Sequence, residues 1–203
     1  MPWEKSFDID GATDLAMKVF WSKGYEATSI ADLVEAMSIN KGSLYNAFGS
    51  KKQLFIRTLL KYDAENRQQI LARLSELNDP VEAIGQLFDM IIGEAMTQKP
   101  SHGCLLVNTA LELPHHDQDV RDIVMTSMSE FEAFFRTTII RGQTDGVIPR
   151  SIDASGTAKI LLTLVVGLRV MSRGVFDANT MYISRDHALR LVGVEDTHAK
   201  RVS

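Results

Sequence analysis

The segment 41-KGSLYNAFGSKKQLF-55 lies inside a longer stretch, Ala36 to Tyr62, that contains no acidic residue. Lys41, Lys51, Lys52, Arg57 and Lys61 fall within it, in a chain of 203 residues whose formal net charge is −4. Leu44, Ala47 and Phe48 recur at helical spacing. At about 100° per residue they share one side of a short helix, while Gly42 and Asn46 point the opposite way with Ser43 and Tyr45 beside them. "GS" at 49 and 50 breaks this helix. Ser50 is then placed to cap a long helix with Leu54, Phe55, Leu59 and Tyr62 inside.

Upstream, apolar residues at 12, 15, 16, 19 and 20 mark one face of a helix from about Asp10 to Lys23, closed by Gly24. Thr28 or Ser29 can cap a second helix whose apolar face is Ile30, Leu33, Val34 and Met37, with a break at "SIN", 38 to 40. Two short helices separated by about three residues, the second with a polar outer face and basic flanks, match a helix-turn-helix, whose second helix enters the DNA major groove.

Each exposed residue type has a use there. Gly42 lets the helix start approach DNA closely, and Ser43 and Asn46 can bond base edges or phosphates, asparagine fitting adenine best. Lys41 can reach a base or a phosphate, and Tyr45 can donate its hydroxyl to a phosphate. Lys51 starts the next helix, where free backbone N–H groups also favour an anion. Plainer readings exist: the five cations as a solvated face, and Tyr45 as half-buried packing against the first helix. The order of the elements favours DNA.

The same residues resemble the DNA-binding domain of the TetR family of bacterial transcriptional repressors. The matching runs are F-x-x-x-G-Y-x-x-T-S-I from Phe20 to Ile30 and K-G-S-L-Y-x-x-F-x-S-K from Lys41 to Lys51. The resemblance implies phosphate contacts from Thr28 or Ser29, groove contacts from Lys41, Gly42, Ser43 and Asn46, and phosphate contacts from Tyr45 and Lys51. Ser38 departs from it, because relatives usually carry glycine in the turn. A left-handed serine there costs about 1 kcal/mol relative to glycine.

Beyond residue 75 the pattern stays helical, and the fold class is all-α. Asp79-Pro80 opens a helix with Val81, Ile84, Phe88 and Ile91 inside, and "CLLVNTALEL" (104 to 113) forms a short one between breaks at 98–103 and 114–117. Long helices follow from about Gln118 to Gln143 and from about Asp153 to Arg173, and a last short one starts at Ser184. Residues 1–50 are expected to be the helix-turn-helix domain and 51–203 a helical effector-binding and dimerisation domain.

The segment "AKILLTLVVGLRVM", 158 to 171, is apolar on nearly every side and must be covered on nearly every side. A second subunit is one cover and the middle of a monomeric core another. The resemblance implies the former, a homodimer joined through the last two long helical segments. Phe88, Met128 and Phe131 belong to an apolar stock suited either to an effector pocket or to plain core. Cys104 follows "SHG" and opens a helix, where the helix dipole and His102 can favour a reactive thiolate; the stretch "GCLLVNTALEL" (103 to 113) resembles a family branch that senses electrophiles or oxidants through cysteine. The bland alternative is a small buried hydrophobe.

One cysteine rules out an intramolecular disulfide, and Trp3, Glu4, Lys5 and Asp8 interrupt any early apolar run, so a reducing cytoplasm is expected. The longest apolar stretch, 160 to 168, is far short of the roughly 20 residues of a membrane span. His115 and His116 lack the spacing of a helical metal-binding pair, and no metal or cofactor is expected. The leading reading is a one-component regulator, a repressor released from double-stranded operator DNA by a small molecule or reactive electrophile. An enzyme with Cys104 as nucleophile is the alternative, and leaves the basic helix start unexplained. An architectural DNA binder is a third reading, one that makes the large acidic C-terminal domain unnecessary.

Overall fold

A computed structural model of the chain describes residues 7–97, 102–112 and 117–194. His115 and His116, and most of the two breaks around them and around residue 100, lie outside the described residues. All regular elements among the described residues are helical. They are α1 (Ile9–Lys23), α2 (Ile30–Met37), α3 (Lys41–Phe48), α4 (Lys51–Tyr62), a π-helical turn (Asp63–Gln68), α5 (Gln69–Ser75), α6 (Pro80–Thr97), α7 (Leu105–Leu111), α8 (Gln118–Thr144), α9 (Ala154–Met171) and α10 (Ala178–Arg190). The chain forms two compact units, Met1–Arg67 with Cys104–Met125, and Gln68–Gly103 with Thr126–Ser203.

In the first unit α1 to α4 each start on a side-chain cap of the type the sequence offers, whereas α7 starts at Cys104 without one. Asp8 accepts the Asp10 N–H at 3.0 Å, Asn40 the Ser43 N–H at 2.8 Å and Ser50 the Gln53 N–H at 3.1 Å. At α2 the cap is Ser29, in a reciprocal box with Asp32. Such caps each contribute about 1 kcal/mol and fix where a short helix begins. α1 packs against α2 and α4, and α3 bridges α2 and α4, around Phe20, Leu33, Leu44, Leu54, Phe55 and Leu59, all fully buried. Ser38 ends α2 at φ 53°, ψ 39°, the left-handed conformation whose cost the sequence raised.

α4 does not run on as a regular helix. Its continuation widens into the π-helical turn, where buried Arg67 grips buried Asp63 through Nε and Nη2, the latter at 2.6 Å from Oδ2. Sequence periodicity carries no signal for this widened turn.

The second unit packs α6 against α5, α9 and α10 around Ile84, Phe88, Ile91, Phe135, Leu161 and Leu168. Asp79 caps α6 through the Val81 N–H at 2.8 Å, with Pro80 in the first helical position as the sequence indicates. The last helix begins at Ala178, six residues before the expected Ser184. Asp177 starts it by accepting the Thr180 N–H at 2.8 Å, a cap that apolar periodicity does not register because Met181 is the one buried side chain in its first turns. Arg185 holds α10 to α6 through a bidentate pair with Asp89, at 3.0 Å for each bond, and Arg169 ties α9 to Glu94 of α6.

α9 is long and apolar enough, at a mean hydropathy of 1.5, to cross a membrane by length and composition, yet only 28% of it is buried. Ala158, Leu161, Val165 and Leu168 face the core. On the remaining surface Ile160 is 49% exposed, and a side chain placed at Gly167 would meet nothing within 4 Å.

Candidate nucleic-acid interface

α3 is anchored from beneath by Leu44 and Phe48, both buried, so its register is fixed by apolar packing. Its outer side presents Lys41, Gly42, Asn46 and Tyr45, the last 41% exposed, with Ser43 half-buried beside them. The expected polar face is therefore the solvent face. Gly42 is restricted by its neighbour as well as open to solvent, because an added Cβ would stand 3.2 Å from Asn40 Oδ1, the atom that caps the helix.

The two residues read as alternatives for the phosphate contact before α2 separate clearly. Thr28 is 1% exposed and its hydroxyl donates to the Gly24 carbonyl at 2.6 Å, closing the turn after α1. Ser29 is exposed, and its hydroxyl bonds Asp32 Oδ2 at 2.8 Å. Asp32 also accepts from Lys23 at 2.7 Å, and that bond, with those from Ser29, holds its carboxyl well below the usual range.

The basic stretch is less basic in space than along the chain. Lys52 pairs with Asp117 and Asp119, each at 2.8 Å, Arg57 with Asp10 at 3.2 Å, and Lys61 with Asp14 at 2.5 Å. The bonds to Asp117 and then Asp119 push the Lys52 ammonium well above its ordinary pKa. Lys41 and Lys51 make no ion pair among the described residues. The opening reading of five gathered cations is corrected to two: packing lays the acids of α1 against α4, and the residues just before and in α8 reach Lys52, so the acid-free run acquires acids from elsewhere in the sequence.

Sequence reasoning missed Tyr25, Asn40 and the Asp117–Lys52–Asp119 cluster. Tyr25 stacks on Phe20 and meets Phe55 at a tilt, with ring centroids 6.1 and 4.8 Å away, and the Lys51 ammonium lies 4.4 Å from its ring centroid. Burial, followed by the Glu26 and Asp117 carboxylates, pushes the Tyr25 phenol up. Asn40 had a legible signal, a good capping residue directly before a helix. A pairing between residues 52 and 117 has none.

Of the effector candidates, Phe88 is fully buried in the second unit's core, Phe131 packs half-buried against that core, and Met128 is half-buried. Cys104 belongs to the first unit. It is 8% exposed and immediately precedes α7, whose Asn108 N–H bonds its carbonyl at 2.8 Å.

A short helix anchored by apolar residues, polar outward and followed by a cation at the next helix start defines a DNA-binding helix-turn-helix protein. Residues 12–58 match the model of bacterial regulatory proteins of the tetR family, and residues 80–188 that of the tetracyclin repressor-like C-terminal domain. The HTH-type transcriptional repressor ComR of Escherichia coli (strain K12) is 31% identical over 170 residues, 83% of this chain and 81% of ComR. A cysteine mutant of the regulator CifR, solved with 26-bp double-strand operator DNA, aligns with a TM-score of 0.80 at 31% identity, covering 91% of this chain and 97% of that one. The reduced form of Escherichia coli NemR aligns with a TM-score of 0.82 at 16% identity, over 92% of this chain and 97% of NemR, a likeness of fold. The chain belongs to the TetR family of bacterial transcriptional regulators, and it is a DNA-binding transcriptional regulator.

Proposed function

We propose that this regulator is a cytoplasmic repressor that binds a pseudo-palindromic operator as a homodimer and leaves it when a small molecule or reactive electrophile reaches its regulatory part. The observation that carries the reading is the outward face of α3, where Lys41, Gly42, Tyr45 and Asn46 stand on a buried Leu44–Phe48 platform. Lys41, Gly42, Ser43 and Asn46 meet the major groove, and Ser29, Tyr45 and Lys51 meet flanking phosphates. Thr28 supports Ser29 through the turn it closes. Residues 1–50, with Lys51 at the start of α4, do the reading, and the rest of 51–203 responds to the effector and dimerises.

Support for the dimer comes from the uncovered side of α9, one of the two long segments expected to join the copies; in place of the other, α8, we assign α10, whose Tyr182 and Ile183 are 45% and 49% exposed. Apolar side chains are left there for a second copy to cover. The effector reading rests on the apolar second unit, in which Phe131 and Met128 are the half-buried candidates.

Fluorescence anisotropy on DNA from upstream of the protein's own gene tests the reading, with Tyr45→Ala and Lys51→Ala beside the wild type. Selective binding that weakens about tenfold in each variant supports it, one lost phosphate contact per head being worth roughly that much. Wild-type affinity no better than for unrelated DNA, across fragments covering the whole upstream region, contradicts it. A response through Cys104 is supported if Cys104→Ser abolishes release by an N-alkylating agent, and is overturned if release persists.

A further inference from the structure

Two adjacent lysines open α4, and the structure treats them differently. Lys52 is clamped by Asp117 and Asp119, each at 2.8 Å, so a phosphate approaching the helix start would have to displace two carboxylates to reach it. Lys51 has no carboxylate among the described residues and is placed over the Tyr25 ring instead, at 4.4 Å from the centroid. A lysine ammonium on a flexible four-carbon stem loses rotamer freedom when it is fixed on a ligand. An aromatic face that already holds it removes part of that loss and, being uncharged, does not neutralise it.

The ring is itself held in place. Phe20 and Phe55 are fully buried, and Tyr25 stacks on the first and meets the second at a tilt, so a cluster of aromatic contacts joins the core to the ring beneath the cation. Burial and the nearby Glu26 and Asp117 carboxylates keep the phenol protonated. Beside Lys51, the Ser50 hydroxyl satisfies the Gln53 N–H, and the first backbone N–H groups of α4 have no carbonyl partner within the helix.

We infer that Tyr25 is a positioning residue for DNA binding, which holds the Lys51 ammonium over its ring face for a backbone phosphate, and that Lys52 takes no part in that contact. The inference rests on the DNA-reading role of α3 and α4. It assigns the ring, not the hydroxyl, as the working part of Tyr25.

The test is a double-mutant cycle of Tyr25→Leu and Lys51→Gln, with Tyr25→Phe and Lys52→Gln as controls. Binding is read by anisotropy over a potassium chloride series, on a duplex that the wild-type protein recovers from a randomised library. Tyr25→Leu is expected to weaken binding about tenfold and to flatten the log–log salt slope by up to about 2, one phosphate contact in each of two heads. In the Lys51→Gln background it should do neither. Tyr25→Phe and Lys52→Gln should leave affinity and slope within about twofold and about 0.5 of the wild type. A Tyr25→Leu loss as large in the Lys51→Gln background as in the wild type overturns the inference, since a merely structural role produces that result. An equal loss in Tyr25→Phe or a flattened slope in Lys52→Gln overturns it as well. Should Tyr25→Leu fail to melt as the wild type does, the Lys51 side-chain proton shifts of the wild type decide: upfield ring-current displacement supports the inference, and random-coil values overturn it. If the wild type recovers no duplex at all, the DNA-reading role falls and Tyr25 with it, whereas selective wild-type binding with an additive cycle removes Tyr25 alone.

Discussion

The first unit turns polar and cationic groups outward from a helix whose other side is core, and the second does the same with apolar groups. On α3 the outward residues are Lys41, Gly42, Tyr45 and Asn46 above Leu44 and Phe48. On α9 and α10 they include Ile160, Gly167, Tyr182 and Ile183, beside Leu161, Val165 and Met181 of the core. The inner faces obey one rule, burial at helical spacing. Only the outer faces tell partners apart: hydrogen-bonding groups and cations suit a nucleic acid, and a small-residue and apolar surface suits another copy of itself.

The largest expected effect breaks the apolar side of this comparison. Ile160→Glu combined with Ile183→Glu should give a monomer mass by light scattering at micromolar concentration. Operator affinity should fall by something on the order of 10²- to 10⁴-fold, because the two reading heads are no longer linked. A dimer that persists with full affinity would mean that these faces are not where the copies meet.

On the polar side, inner and outer residues of α3 should fail in different ways. Leu44→Ala removes fully buried volume and should cost about 3 kcal/mol in urea unfolding, taking DNA binding with it. Asn46→Ala should leave the urea midpoint unchanged and reduce discrimination between the preferred duplex and single-base variants by about 1–3 kcal/mol. If Asn46→Ala proves as destabilising as Leu44→Ala, its face is not an outer one.

Smaller effects belong to the turn before α3. Ser38→Gly should raise stability by about 1 kcal/mol, since glycine adopts the left-handed conformation without the serine's steric cost. Smallest is an acid effect at Asp32. Lys23 and Ser29 depress its carboxyl in the folded state, so its contribution is present above the unfolded carboxylate range and is lost as pH falls below about 4. Asp32→Asn should remove that part of the acid sensitivity seen in a thermal-melt series, and an unchanged pH profile would count against it.

Much of the reading head is legible in the sequence because its determinants are local. Caps sit next to the helices they start, and the apolar face of each short helix is written within eight residues. Ser38 was legible for the same reason, as a residue in a turn that needs a left-handed backbone. Long-range pairing is what the sequence concealed. Asp10 and Asp14 neutralise Arg57 and Lys61, and Asp117 and Asp119 neutralise Lys52, across separations that no periodicity reports. Counting cations along the chain therefore overstated the charge available to DNA. The π-helical turn and the early start of α10 escaped because one depends on a buried Asp63–Arg67 pair and the other on a cap followed by few buried side chains. The effector site is the least legible part. Phe88, Phe131 and Met128 serve a core as readily as a pocket, and apolar contact has no directional signature.

Selection from a randomised duplex library, followed by sequencing, tests the central claim most directly. The outward face of α3, carried twice in a symmetric dimer, predicts an enriched pseudo-palindrome with half-sites about one helical turn or a multiple of it apart. Exchange of Asn46 should alter the enriched bases within each half-site. A pool that stays random after repeated rounds at low salt would contradict the account.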